Sequence, residues 1–529
     1  MAETSSRRAS SSVRRRAAHR ARSEDHIMQL DRKEFLQALG AGTVGAAAGR
    51  HLGAAAPDVK PKKLERDAIK GATDAVARFV TRTTLADLPA DVVQQGKRCL
   101  IDGFGVILAG STSDGSRIVR EHVREVGGKS EASIIGTRLR VPAGKAALAN
   151  GASGHAMDYD DTQLSTTPDR TFGLLTHPTI PALSTSLAVA ERVGASGAGF
   201  LEAFLVGFEV ECKIAEAIDP DHYTRGFHSS GTIGAFGAAT AAAKLMKLDA
   251  AVVKHLLAIT ASLSSGIRVN FGSMTKPLHV GRAAESGVFA ADLAAHGFTG
   301  GDDGLDGAWG FFQVLGGGAD LDRLIPALGK PYAIVNPGVS VKPYPCGSLS
   351  HPSMDAMLKV VVDHDLKPEQ IKAVRVRAGS NVLNPLRYKT AKTELEAKFC
   401  LPFLMASLIV RRKAGMAEFT DAFVASEAVQ RMMELVTGVF DREIEAQGFD
   451  KIRSVIEVDL VDGRRLVQSA DQRYRGGPDK PFTRAELRAK FADCAQLVLR
   501  PDRIEPAIAA IESIDRLSSV RELVSRLVA

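Results

Sequence analysis

Residues 66–110 alternate charged and apolar positions at helical spacing and close in a nearly continuous apolar run, 99–109. That pattern predicts a helix buried on most of its faces. Residues 142–157 are almost all small and predict a helix that delivers the Asp-rich segment Asp158-Tyr-Asp-Asp161 at its C-terminal end. Residues 181–193 and 199–217 read as two further helices. Gly231, Gly234, Gly237 and Ala241 then place a bare ridge along one face of a helix near 231–245. Small residues at that spacing let another backbone come close, so the ridge is a packing device. It follows no strand and contains no GxGxxG, which argues against a dinucleotide site.

The pattern changes after Gly338. Residues 371–377 alternate as a strand does, and 454–460 and 464–469 flank Asp462-Gly463, a hairpin signal. Helical stretches are expected at 350–362, 395–412 and 427–447. Residues 484–529 return to pure helix, so 338–478 read as an inserted α+β unit.

Composition narrows the class. Apolar residues make up 45% and charged residues 24%, as in ordinary globular proteins, and aromatics only 5%, which suits closely packed helices. The net charge of +7 is local: residues 1–27 hold seven arginines against three acids, +4, leaving +3 for the remaining 502 residues. A nucleic-acid partner is therefore not expected; that reading would rest only on the arginines of 7–22. Five scattered cysteines without CxxC spacing support neither a disulfide framework nor a zinc site.

Residues 1–56 read as leader. Positions 5–24 lack apolar periodicity and predict disorder. Asp31-Arg-Lys-Glu-Phe-Leu-Gln37, a weakly apolar stretch and Ala54-Ala-Ala56 resemble a twin-arginine export signal with Arg-Lys in place of Arg-Arg, and Met28 would be a natural start for it. A working leader predicts a periplasmic protein, an idle one a cytoplasmic protein. No run of 18 apolar residues follows, so no membrane insertion is expected after leader removal.

The candidate chemistry begins at Ser273-Met-Thr-Lys-Pro-Leu-His-Val-Gly-Arg-Ala283. Pro277 suits a first helical turn, and Lys276, His279 and Arg282 recur at three-residue spacing beside a helix N-terminus, which favours anions. They read either as a seat for a carboxylate or phosphate or as a solvated helix start. His155, His177, His228 and Lys342 add groups that can serve as acid or base once burial tunes them. Asp158, Asp160 and Asp161 could orient imidazoles or hold a hydroxyl. The magnesium spacing Asp-Asp-x-x-Asp fails, because Leu164 and Ser165 occupy the downstream positions.

Gly154-His-Ala-Met-Asp-Tyr-Asp-Asp-Thr162, His177-Pro178, Arg225-Gly-Phe-His-Ser-Ser-Gly-Thr-Ile-Gly234, Met274-Thr-Lys-Pro-Leu-His279 and Lys342-Pro-Tyr-Pro-Cys346 follow one another in the order used by the MmgE/PrpD family, which this chain resembles over about residues 70–520. The resemblance implies a mainly α fold: a large all-helical domain, 66–337 plus 479–529, with the α+β unit 338–478 as its lid. It also implies a homodimer formed through the helical domain. Family activities include 2-methylcitrate dehydration, cis-aconitate decarboxylation and iminodisuccinate epimerisation, all on small polycarboxylates without metal or organic cofactor.

Motif by motif, the resemblance puts catalytic roles on Asp158, His177, His228, Lys276 and Lys342. Substrate contacts fall on Thr162, with His279 supporting Lys276 and Arg282 completing the cationic row. Phe403 stands where the family carries a Tyr, which predicts a lost hydroxyl in the cleft, and Ser165–Thr171 lengthens a connection. Cys346 reads as a buried thiol. The expected activity is a cofactor-free lyase on a di- or tricarboxylic acid, most simply a 2-methylcitrate dehydratase-like enzyme. The alternatives are a decarboxylase, an epimerase, or an exported carboxylate binder without turnover.

Overall fold

Glycine lets the central helices meet backbone to backbone. In the computed structural model, residues 70–164, 176–449 and 451–528 are described; the leader and the 165–171 segment lie outside them. The helices are α1 (Ala72–Arg82), α2 (Ala90–Gly110), α3 (Ala143–Ala156), α4 (Thr179–Val193), α5 (Gly197–Ala217), α6 (Gly234–Leu245) and α7 (Thr275–Ala295). A Cβ added to Gly151 of α3 would lie 2.8 Å from the Gly281 Cα of α7, and one on Gly281 would lie 2.5 Å from the Leu148 oxygen. Only glycine permits that approach. The crossing sets the C-terminal end of α3 beside the N-terminal end of α7. The glycine ridge packs as expected: a Cβ on Gly207 of α5 would meet the Gly237 oxygen of α6 at 2.5 Å.

The expected helix over 66–110 is broken. Pro89 holds Leu88 extended (φ −83°, ψ 130°), and α2 starts after it. Its run 99–110 is buried throughout.

The inserted unit contains α8 (His351–Asp363), strand β1 (Ile371–Ala378), α9 (Leu401–Arg411), α10 (Glu427–Glu434) and strands β2 (Val436–Phe440), β3 (Ser454–Leu460) and β4 (Arg465–Ser469). The sheet order is β2-β1-β3-β4, with β2 parallel to β1 and the other pairs antiparallel. Gly463 turns the β3–β4 hairpin at φ +90°. The helix expected over 427–447 stops at Glu434. Val436, Thr437, Val439 and Phe440 are β-branched or aromatic, and a free strand edge recruits them.

Met354, Val374, Val376, Leu404 and Val458 form the core of this unit. α11 (Arg484–Ala495), α12 (Pro501–Glu512) and α13 (Val520–Leu527) join a different core, where Leu487, Phe491, Ile508 and Leu523 pack with Leu100, Phe104 and Leu183. Among the described residues no helix is long and apolar enough to cross a membrane.

Candidate active site

The glycine crossing of α3 and α7 brings Asp158 to Lys276. Asp158 follows α3 in the left-handed region, φ +50°, which Asp tolerates better than most residues and which turns its carboxylate inward. Lys276, in the first turn of α7, donates to Asp158 Oδ1 at 2.6 Å. Lys342 donates to the same oxygen at 3.0 Å and to the Asp158 carbonyl at 2.9 Å. Paired backbone hydrogen bonds between Thr162 and Ser340, 2.9 and 2.8 Å, tie the Lys342 segment to this turn. All three side chains are at most 5% exposed. Burial acts to raise the Asp158 pKa, but the ammoniums of Lys276 and Lys342 hold it well below the usual carboxylate range.

An ammonium has three N–H donors. Lys276 gives one to Asp158 and Lys342 gives two, so three remain to meet an anion. Both lysines line a cavity of ≈ 60 Å³, with Asp158, Thr162, His177, Tyr223, His228 and Ser348. Phe271, Leu349, Pro385, Leu386 and Phe399 make its apolar wall. Lys276 Nζ stands 5.3 and 5.4 Å from the Phe271 and Phe399 ring centres, close enough for both rings to attract it.

His177 donates from Nδ1 to the Asp161 carbonyl at 2.8 Å, which leaves the Nε2 lone pair free to act as a base. Its own N–H bonds Ser230 Oγ at 2.9 Å. His228 is anchored through its N–H to Gly266 O at 3.0 Å, and its Nδ1 lies 3.1 Å from His279 Nδ1, so one of the two rings donates to the other. Burial lowers both His177 and His228, keeping them neutral near pH 7. Thr162 Oγ1 meets Ser348 Oγ at 3.0 Å.

Five side chains from five separated motifs therefore share one cavity: Asp158, His177, His228, Lys276 and Lys342, with Thr162 beside them. Three placements differ from expectation. His279 contacts His228 and not Lys276; burial brings its pKa down to about 4. Arg282 pairs with Glu285 on its own helix and is half exposed. Two three-residue steps turn it about 120° away from Lys276, so the cationic row leaves the cleft. Phe403 is buried in the core of the α+β region, 5.3 Å ring to ring from Phe419 and 6.2 Å from Phe423. Phe399, four residues earlier and just before α9, is the aromatic on the cavity wall. Cys346 is a buried thiol whose pKa burial pushes up to about 12.

Sequence reasoning did not single out Tyr223, Ser348, Phe271 or the Pro385–Leu386 wall. Tyr223 precedes His228 by five residues, and Ser348 follows the Lys342 motif; proximity to those motifs was the only signal. One ring nitrogen from each of His155, His177 and His228 lies within 4.8 Å of the others, as does one ligand atom from each of His155, Asp158 and Asp160. These groups could share a cation, but the ammoniums of Lys276 and Lys342 beside them repel a divalent ion. The arrangement suits anion binding and proton transfer.

The chain is similar to known proteins along most of its length. Cis-aconitate decarboxylase of Homo sapiens is 25% identical over 471 residues, covering 87% of this chain and 95% of that protein. The cis-aconitate decarboxylase-like protein oryM of Aspergillus oryzae is 25% identical over 474 residues, 86% of this chain and 96% of its own length. Cis-aconitate decarboxylase of Aspergillus terreus is 21% identical over 487 residues, 88% and 98%. The MmgE/PrpD N-terminal domain matches residues 74–324 and the MmgE/PrpD C-terminal domain residues 344–516, so the chain belongs to the MmgE/PrpD family of enzymes.

Proposed function

We propose that this chain is a lyase acting on a tricarboxylic acid, and that its reaction is decarboxylation. The observation that carries this reading is Asp158 clamped between Lys276 and Lys342, with three ammonium hydrogens unspent, in a cavity that also has an apolar wall. Two carboxylates of the substrate would take those hydrogens. A third, against Leu349, Pro385 and Leu386, would be poorly solvated as an anion and well accommodated as CO2. When the C–C bond breaks, its electron pair flows toward the seated carboxylates, where fixed charges stabilise it without reorganisation. An imidazole on the wall, which takes up a solvent proton as the anionic substrate binds, then delivers that proton to carbon. The names of the relatives support the same substrate class.

Dehydration is the second reading, favoured by the Thr162–Ser348 hydroxyl pair, which could hold a substrate hydroxyl. Incubating the purified protein with cis-aconitate, citrate and 2-methylcitrate, with NMR of products and CO2 capture, separates the two. The expected result is CO2 and a dicarboxylic acid from the unsaturated acid. Interconversion by water alone would replace decarboxylation with dehydration, and tight binding of all three acids without turnover would sink the lyase reading.

A further inference from the structure

Behind His177 and His228 stands a third imidazole. His155, on the last turn of α3, is 1% exposed. Its Nδ1 lies 2.9 and 2.8 Å from the two oxygens of Asp160, so Nδ1 carries the hydrogen and donates it to the carboxylate. Nε2 keeps a lone pair that meets no donor. His228 Nε2 is also buried without a partner. The His155 ring lies 4.7 Å from the His177 ring and 5.5 Å from that of His228. Asp160 reaches past His155 as well, its Oδ2 being 3.7 Å from His177 Nδ1. Buried polar atoms are nearly always satisfied. Two partnerless imidazole nitrogens on rings 5.5 Å apart mark a place where a proton, or the ligand that brings it, belongs.

We propose that His155 and Asp160 are positioning residues that join the three imidazoles into one proton store serving the substrate carbon. The inference rests on the lyase reading. In decarboxylation the bond to the departing CO2 breaks and its electron pair stays on the substrate. His177 or His228, loaded to the imidazolium by a solvent proton as the anionic substrate binds, then gives that proton to the substrate carbon to make the new C–H bond and returns to its neutral resting form. Dehydration uses the store in the opposite sense: the C–H proton bonds to the ring nitrogen, the electron pair expels hydroxide, and the imidazolium so formed returns that proton to the hydroxide, which leaves as water. In either case the imidazolium is countered by Asp160, which lies against His155 and near His177.

The groups facing the cluster are Asp158 and Asp160 from the turn after α3, His279 and Lys276 from α7, Lys342, and Lys398, whose ammonium meets Ala156 O at 3.3 Å. The ammoniums oppose a second proton while Asp160 permits the first. Burial makes neutral His155 the resting form.

Full-length Asp160→Asn and His155→Gln proteins test this with two readouts. In 15N-histidine NMR, the wild-type rings of His155 and His177 should show the Nδ1–H tautomer, and Asp160→Asn should change the His155 tautomer or its titration. With cis-aconitate, each variant should lose about 100-fold in kcat while KM stays within about threefold. The alkaline limb of the kcat pH profile with cis-aconitate should move to lower pH in Asp160→Asn, because an imidazolium without its counter-ion gives up its proton sooner. Should Asp160→Asn fail to fold, His155→Asn keeps an N–H toward Asp160 and removes the Nε2 lone pair. Unchanged tautomers and pH profile in variants that lose only stability would reduce the pair to packing and overturn the proposal. A wild type inactive on every acid would instead overturn the lyase reading, while the tautomer experiment still judges the dyad.

Discussion

Lys276 and Lys342 share one carboxylate, and a buried ammonium is costly without an anion beside it. Asp158 takes three of their six hydrogens, and in the proposed reaction a substrate anion takes the rest. Lys276→Ala should therefore lower turnover by about 100- to 1,000-fold, as removal of a preorganised charge partner does. Stability should fall by only about 1–2 kcal/mol, because Lys342 still pairs with Asp158. Steady-state kinetics and urea denaturation of the same variant separate the two effects, and wild-type turnover would place the anion seat elsewhere. Asp161 offers a pH test. Burial, and then the charge of Asp102, push its pKa from 3.8 up to about 7. A carboxyl that holds its proton more tightly when folded stabilises the fold fully below about pH 4, and that contribution is lost as pH rises toward 7. Asp161→Asn never ionises, so relative to wild type it should gain stability between about pH 4 and 8, by on the order of 4 kcal/mol at most. Melting temperatures of both proteins across that range check this; a constant difference would mean that Asp161 ionises as a surface acid does.

At the scale of elements, the site depends on how closely α3 and α7 cross. Gly281→Val would drive a side chain into the Leu148 carbonyl and force the helices apart. Overpacking of this kind costs about 1–3 kcal/mol, and here it should also lengthen the 2.6 Å Lys276–Asp158 bond and cut turnover. Gly144→Ala, in the same helix α3, meets only ordinary contacts at 3.8–3.9 Å and should leave turnover intact while stabilising the helix by up to about 1 kcal/mol. If Gly281→Val kept full activity, the crossing would not be what positions the pair. The helices of the body were legible because small and apolar residues recur at 3.6-residue spacing. β2 was not, since a five-residue strand between two helical stretches is decided by the edge of β1 and not by local period. The site motifs were legible as chemistry, yet which side chains face the cleft depended on helix phase. Phase carries Arg282 off the cleft and turns Phe403 into the core of the α+β region. Phe403→Tyr should thus bury a hydroxyl among Phe419 and Phe423 and cost about 1–3 kcal/mol, with no gain in activity on any acid.

Across the whole molecule, the last helices of the chain return to brace the turn that carries Asp158. Lys490 of α11 donates to the Tyr159 carbonyl at 2.8 Å and lies 3.9 Å from the centre of the Tyr159 ring. It also pairs with Asp102 of α2 at 2.6 Å, both side chains being at most 4% exposed. The segment Asp158-Tyr-Asp-Asp161 is thus held from the substrate side by Lys276 and Lys342 and from behind by Lys490. Burial raises the Asp102 pKa, and the Lys490 charge works against that rise. Lys490→Met removes the partner and leaves a buried acid alone, which should cost about 3–5 kcal/mol. Adding Asp102→Leu removes the stranded charge and should restore most of that stability, because an apolar pair of similar volume replaces a buried ion pair at little cost. Activity should not follow stability. The Tyr159 carbonyl loses its donor in both proteins, so the double variant should remain slower than wild type even when equally stable. Thermal melts and kinetics on the single and double variants form the test, and a double variant with full turnover would show that α11 supports the fold of the body without positioning its active site.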